Sequence, residues 1–281
     1  MTEQAQAQLP APEPSPPVGD SPAPSSGKDR RVLRATLRWT AAAAVFAVVG
    51  AGTAFGITRI DRTDVPGLAT ASDGRWEYPE LVRPPVPAGS PGPLSDANRT
   101  GTHYADLRAL LLPASKGATE EQALRGHGGW LTTQDFVTRY AVKDDRRELG
   151  QKLIDYGLRH VAARGWASED GTHTRIYLLQ FDTAAVADQL MTQELTGLTG
   201  PTYAERGADA HVLDEKFPSA AQIDGVTLMP YTETEPYGAE QVRLAYLAAG
   251  DTIAVITQSR KGGVNAVPFR QTVTLQTELL T

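Results

Sequence analysis

No cysteine occurs among the 281 residues. That absence removes a disulfide framework, thiolate metal sites and a lipid-modified cysteine anchor, so any folded part must rest on its own core. Histidine is scarce: His103, His127, His160, His173 and His211 are the full set, and none stands in HExxH or another close ligand spacing. GxSxG is absent as well, so no nucleophile elbow is marked. "GHGGW" at residues 126 to 130 lacks the Lys-Ser/Thr of a phosphate loop and reads as a turn. "KDDRRE" at residues 143 to 148 mixes both signs at a helix start and reads as a solvated face. No catalytic residue, cofactor or metal can be nominated from these patterns.

Charge is missing from Trp39 to Thr58, a run of Ala, Val, Phe, Gly, Ile and Thr. Such a run reaches about 30 Å as a helix, the thickness of a bilayer's hydrocarbon core. Lys28, Arg30, Arg31, Arg34 and Arg38 precede it against Asp29 alone, while Arg59, Asp61, Arg62 and Asp64 behind it cancel. Positive charge stays on the cytoplasmic side, which puts the N-terminus inside and the bulk of the chain outside. An uncleaved single-pass anchor is the expectation. The competing reading is a cleaved signal peptide, against which stand the length of the basic lead and the poor cleavage site in "AGTAF". Gly52 and Gly56 form a GxxxG pair, the spacing through which two membrane helices make a homodimer, although an Ala/Gly-rich run produces such pairs by chance.

Large apolar side chains are also rare in the first 27 residues, which read as disordered. The expected organisation is a Pro-rich cytoplasmic tail with a basic end over 1–38, a transmembrane helix over 39–58, an extracytoplasmic linker over 59–99 and an extracytoplasmic domain over 100–281. "YPELVRPPVPAGSPGP" at residues 78 to 93 favours an extended polyproline-like spacer that holds the domain off the membrane.

The domain reads as mixed α and β. Thr119–Gln122 resembles a capping box opening a short helix. Asp144 or Asp145 can cap the next, with Leu149, Leu153 and Tyr156 on one face and Gly157 as its stop. "LRHVAARGWASEDGTHTRIYLLQF" alternates around Asp170-Gly171, a hairpin signal, and a helix capped by Asp182 or Thr183 runs on to Gly197. The order recurs in "EQVRLAYLAAGDTIAVITQS" around Gly250-Asp251, followed by a helix with Pro268 in its first turn. Two hairpin-plus-helix units predict an α+β fold, with a ferredoxin-like antiparallel sheet, helices on one face, and residues 198 to 240 as an irregular connection.

A two-residue turn at Asp170-Gly171 sets His160 opposite Phe181 and His173 opposite Ser168, too far apart to share a metal. In that register Arg164, Trp166, Arg175, Tyr177, Leu179 and Phe181 share one side and Val161, Ala163, Ile176 and Leu178 the other. The second set reads as core. The first is a candidate contact face for an envelope protein or small ligand, or else packs on another part of the chain. Nucleic acid is an unsuitable partner, because acidic residues outnumber basic ones beyond residue 58.

The Pro-rich tail, "RWTAAAAVFAVVGAGTAFGITRIDRTDVPGLAT" and "RGWASEDGTHTRIYLLQF" together resemble uncharacterised single-pass membrane-anchored proteins of Streptomyces-type actinobacteria. The resemblance implies a cell-envelope location and carries over no site residues. The expected function is a membrane-anchored extracytoplasmic binding or sensory module, the alternatives being an envelope enzyme or a structural subunit of a membrane complex.

Overall fold

The computed structural model describes residues 28–57, 72–208, 210–219, 222–236 and 238–281. The tail read as disordered over 1–27, and Arg59, Asp61, Arg62 and Asp64, lie outside the described residues. The chain divides into two units, Met1–Ala71 and Ser72–Thr281.

In the first unit, α1 (Lys28–Ile57) is a continuous helix, so helix begins within the basic lead rather than at Trp39. Its stretch Leu33–Thr53 is long and apolar enough to cross a membrane, and a signal sequence would pass the same test. Its large side chains are exposed, Trp39 at 78% and Phe46 at 81%. Nothing lies within 4 Å of where a Cβ on Gly52 would stand, and Gly56 belongs to the same helix.

The second unit is an α+β domain built on an antiparallel sheet. Among the described residues its strands are β1 (Thr119–Glu120), β2 (His160–Ala167), β3 (His173–Gln180), β6 (His211–Leu213), β7 (Val226–Glu233), β8 (Glu240–Ala249) and β9 (Thr252–Lys261), while β4 (Thr196–Gly197) and β5 (Gly200–Pro201) pair apart. The order is β1-β2-β3-β9-β8-β7-β6. The two expected hairpins, β2–β3 and β8–β9, stand side by side and are joined by the pairing of β3 with β9.

Helices cover both faces of this sheet, not one. On the first face α2 (Thr133–Val137), α3 (Lys143–Asp155) and α4 (Ala184–Leu190) contribute Phe136, Leu149, Leu153 and Leu190 to a core with Val161, Tyr177, Leu179, Tyr246 and Val255. On the second, α5 (Ala266–Leu280) and residues 107–112 pack over Ala162, Trp166, Ile176, Leu178, Leu247 and Ile256. Burial on both sides explains why β8 and β9 read "LAYLAA" and "IAVI", nearly unbroken apolar runs. It also places α4 and α5 on opposite faces, unlike the ferredoxin-like expectation.

The first hairpin is one residue out of the expected register. Ser168 N–H donates to Thr172 O (2.9 Å) and Gly171 N–H to Ser168 O (2.9 Å), closing a three-residue loop with Gly171 left-handed at φ 79°. His160 therefore faces Gln180, and His173 faces Ala167. A one-residue slip moves a strand's side chains to the other face. Arg164 and Trp166 accordingly lie with Ile176 and Leu178, while Arg175, Tyr177 and Leu179 lie with Val161 and Ala163. The second hairpin has the expected two-residue turn, with Ala249 opposite Thr252.

Three other expectations fail for tertiary reasons. Thr119–Gln122 opens no α-helix: Glu121 N–H donates to Gly165 O (2.8 Å), which draws the segment onto the edge of β2 as β1 and a 3-10 turn over Gln122–Arg125. Residues 198 to 240 are not wholly irregular, since they hold β6 and β7. Pro230 survives inside β7 because its carbonyl accepts from Asp214 N–H on the outer side (2.9 Å), the side its missing N–H would also face. From Ser72 onward the expected linker belongs to the domain. Trp76 N–H donates to Gln271 Oε1 and Gln271 Nε2 to Trp76 O, both at 2.8 Å, and Tyr78 hydrogen-bonds Thr272 (2.9 Å) while standing edge-on to Trp166. Burial pushes the Tyr78 hydroxyl up to about 12. Gln276 holds Leu110 O and Leu112 N–H in the same way, each at 2.9 Å. Side-chain amides of α5 thus stand in for a neighbouring strand.

Helix ends follow local rules more closely. Thr183 caps α4 by accepting from Val186 N–H (3.3 Å), and Gly157 ends α3 at φ 71°. Asp144 and Asp145 sit in the first turn of α3 without capping it, and α4 passes into a π turn at Met191–Leu195 before reaching Gly197.

Trp166 is fully buried beneath α5 and the strap at Tyr78. Trp166→Ala is expected to cost about 3–5 kcal/mol in chemical denaturation. An unfolding midpoint equal to wild type would mean that this face is not the core it forms here.

Candidate functional site

The six residues read as a contact face do not share one. Trp166, Leu179 and Phe181 are fully buried, and Tyr177 nearly so. Arg164 is half-buried and donates from Nη1 to Leu111 O (3.0 Å). Arg175 alone remains exposed, and it marks a polar cleft of about 340 Å³ at one end of the first face.

Cross-strand pairing builds the cleft floor. His173 and Arg175 of β3 stand opposite Ser259 and Thr257 of β9, which stand opposite Val242 and Leu244 of β8. Two rows of side chains are thereby set one pleat apart, about 7 Å. Glu205, Arg206 and Gly207 wall the cleft on one side and Gly238, Ala239 and Glu240 on another. The walls approach so closely that a Cβ on Gly238 would lie 3.2 Å from Gly207 O.

Glu205 and Arg206 are held by a docked segment. Ala141 N–H donates to Ala204 O (2.9 Å) and Arg206 N–H to Arg139 O (2.8 Å). Arg139 then pairs with Glu205, Nη2 to Oε1 at 2.5 Å and Nε to Oε2 at 3.3 Å, with both side chains only 7% exposed. The guanidinium carbon lies 4.6 Å from the Tyr177 ring centre, 5.4 Å from Tyr140 and 5.7 Å from Phe136. Burial pushes the Glu205 carboxyl up and opposes charge on Arg139 too, yet Glu205 and the surrounding tyrosines keep that guanidinium firmly protonated. Arg139 Nη1 is buried without a hydrogen-bond partner among the described residues.

Glu121 makes a second charged cluster. Its oxygens accept from Arg175 Nε (2.9 Å) and Nη2 (3.3 Å), and one lies 3.1 Å from His173 Nδ1. Burial works against its ionisation, but these contacts hold its carboxyl below the usual range. Glu121, His173 and Ser259 follow the order of an acyl-transfer set, but no hydrogen bond links Ser259 to His173 in the described structure. The arrangement offers binding donors without the nucleophile–base contact that such chemistry uses.

Among the described residues no group of three or more His, Asp or Glu could hold a metal. A second cavity of about 320 Å³ lies between the Pro-rich strap at 83–93 and the end of α5. Its lining is largely proline and aliphatic carbon. Its histidine is committed, with His103 Nδ1 2.6 Å from Asp251 and Nε2 3.0 Å from Leu280 O. We therefore place the candidate site at the polar cleft.

No family model matches the sequence, and no curated protein matches it. Two solved structures are similar in part. The extracellular domain of PknH from Mycobacterium tuberculosis has 9% identity and a TM-score of 0.30 over 58% of this chain and 77% of that one. An uncharacterised protein from Mycobacterium smegmatis has 12% identity and a TM-score of 0.28 over 60% of this chain and 79% of that one. At that level neither likeness bears on what this chain does.

His211 stands opposite Glu233, whose carboxylate accepts from Val242 N–H (2.6 Å), and Val242 stands opposite Ser259 of the cleft floor. Its ring is buried near the Val242 backbone, yet neither nitrogen makes a hydrogen bond of normal geometry among the described residues. Burial, with Arg139 adding to it, pushes its pKa down to about 4. The unfolded chain then binds the proton more readily, so this contribution to stability is complete above about pH 6.5 and is lost as pH falls towards 4. The loss should approach about 3 kcal/mol in urea titrations across that window. His211→Gln should flatten the dependence, and an unchanged slope in the variant would assign it to another group.

Proposed function

We propose that the chain is a membrane-anchored binding module of the cell envelope, with α1 as its single span and the Ser72–Thr281 domain outside the cytoplasm. In this reading the polar cleft receives a small ligand. The observation that carries it is the convergence of His173, Arg175, Arg206, Thr257 and Ser259 on one cleft while the apolar strand faces are covered. An exposed apolar contact face, the feature a protein-docking module would show, is not what β2 and β3 provide. Dimerisation through Gly52 and Gly56 in the membrane belongs to the same proposal. The basic residues before the apolar run support an N-terminus inside.

Topology and cleft are tested separately. A reporter fused after Thr281 should be active only outside the cytoplasm, and the full-length protein should remain with membranes after a carbonate wash. Release of a soluble fragment starting near residue 55 would instead make α1 a signal peptide.

For the cleft, native mass spectrometry of the full-length protein taken from its membranes should show a bound small molecule. That species should be absent from Ser259→Trp, whose indole fills the floor. A wild-type spectrum without an adduct, or one that persists in the filled variant, would remove the cleft from this proposal.

A further inference from the structure

We propose that the cleft recognises an oxyanion, the phosphate or carboxylate group of a small ligand. This rests on the reading of the cleft as the ligand site. Its basis is a surplus of hydrogen-bond donors over acceptors among the lining groups.

Glu205 in the wall, and Glu121 behind the lining residues Arg175 and His173, are already used. Both oxygens of Glu205 accept from Arg139, and both oxygens of Glu121 are taken up by Arg175 and His173. The donors are not used up. Arg175 binds Glu121 through Nε and Nη2, which leaves Nη1 uncommitted among the described residues. Arg206 is anchored by its backbone to Arg139 O, and its exposed guanidinium makes no ion pair or hydrogen bond among the described residues. The Ser259 and Thr257 hydroxyls line the floor and are likewise unengaged there. Glu240 is the lining carboxylate without a bonded cation among the described residues, and Lys261 stands opposite it in register.

Guanidinium and hydroxyl donors lining one cleft match an acceptor-only group that can take several hydrogen bonds at once. Arg suits this role because its planar donors meet carboxylate and phosphate oxygens in pairs. A cationic ligand would leave Arg206 and the free edge of Arg175 facing like charge. A neutral one would leave their donors to water.

The test uses full-length protein in phosphatidylcholine nanodiscs, titrated with inorganic phosphate and with acetate at ionic strength fixed by chloride, with thermal unfolding as the readout. A ligand that binds only the folded state raises the midpoint saturably. At least one of the two anions should do so, with affinity at least tenfold weaker in Arg206→Ala. Arg75→Ala, another exposed arginine, paired with Asp73, should behave as wild type. Nanodiscs containing phosphatidylglycerol separate two sources of the same chemistry. Unchanged anion affinity there assigns the cleft to a soluble ligand, and weakened affinity assigns it to a lipid headgroup; both support oxyanion recognition.

No saturable response to either anion, or equal affinity in Arg206→Ala, would overturn the proposal. Saturable binding of spermidine instead, abolished by Ser259→Trp, would overturn the oxyanion while keeping the cleft as the ligand site.

Discussion

The pairing of β3 with β9 is the constraint on which the rest of the domain depends. Eight residue pairs, from His173 with Ser259 to Gln180 with Thr252, fuse two local hairpins into one sheet. Each hairpin alone would expose two apolar faces, and isolated two-stranded units are marginal in water. Once joined, they form a surface broad enough for α2, α3 and α4 on one side and α5 on the other. The same pairing puts the β3 and β9 halves of the cleft floor side by side. Because the joined strands are distant in sequence, this step carries a large loop-closure cost and should come late in folding.

The Arg139–Glu205 pair illustrates how polar order is maintained next to that core. A buried ion pair gains little net stability, since desolvation consumes most of the Coulombic attraction. Here three aromatic rings around the guanidinium add cation–π attraction, and the backbone bridge between residues 139–141 and 204–206 fixes both partners. Its principal effect is positional. Removing either charge would strand the other in a low-dielectric interior and loosen the segment that presents Arg206.

How far the amino-acid pattern could be read varies element by element. Gly250-Asp251 between apolar stretches identifies the second hairpin with its register. Asp170-Gly171 identifies the first hairpin but not its loop length, and one residue decided which side chains were core. Pro230 concealed β7, because a strand beside the sheet's last short strand can spare one N–H. The strap at 76–81 looked like a spacer since its anchors, Gln271 and Thr272, lie at the other end of the chain. Of the cleft, His173 and Arg175 could be seen as neighbours on one strand. Arg139, Glu121, Glu205 and Ser259 join them only through tertiary contacts, and no short-range spacing encodes that.

The strand order has a consequence for how the domain meets other molecules of its own kind. Its longest strands, β8 and β9, lie inside the sheet, whereas the outermost ones, β1 and β6, have two and three residues. Next to β1, the free rim of β2 is occupied as well, with Val161 O and Gly165 O accepting from Leu131 and Glu121 N–H groups. At the opposite rim, Pro230 interrupts the row of donors on β7. A sheet so strongly apolar on both faces would polymerise readily if its margins offered continuous backbone. Short, capped and proline-broken margins deny an incoming strand its template, so identical domains crowded together can remain unaggregated at high local concentration.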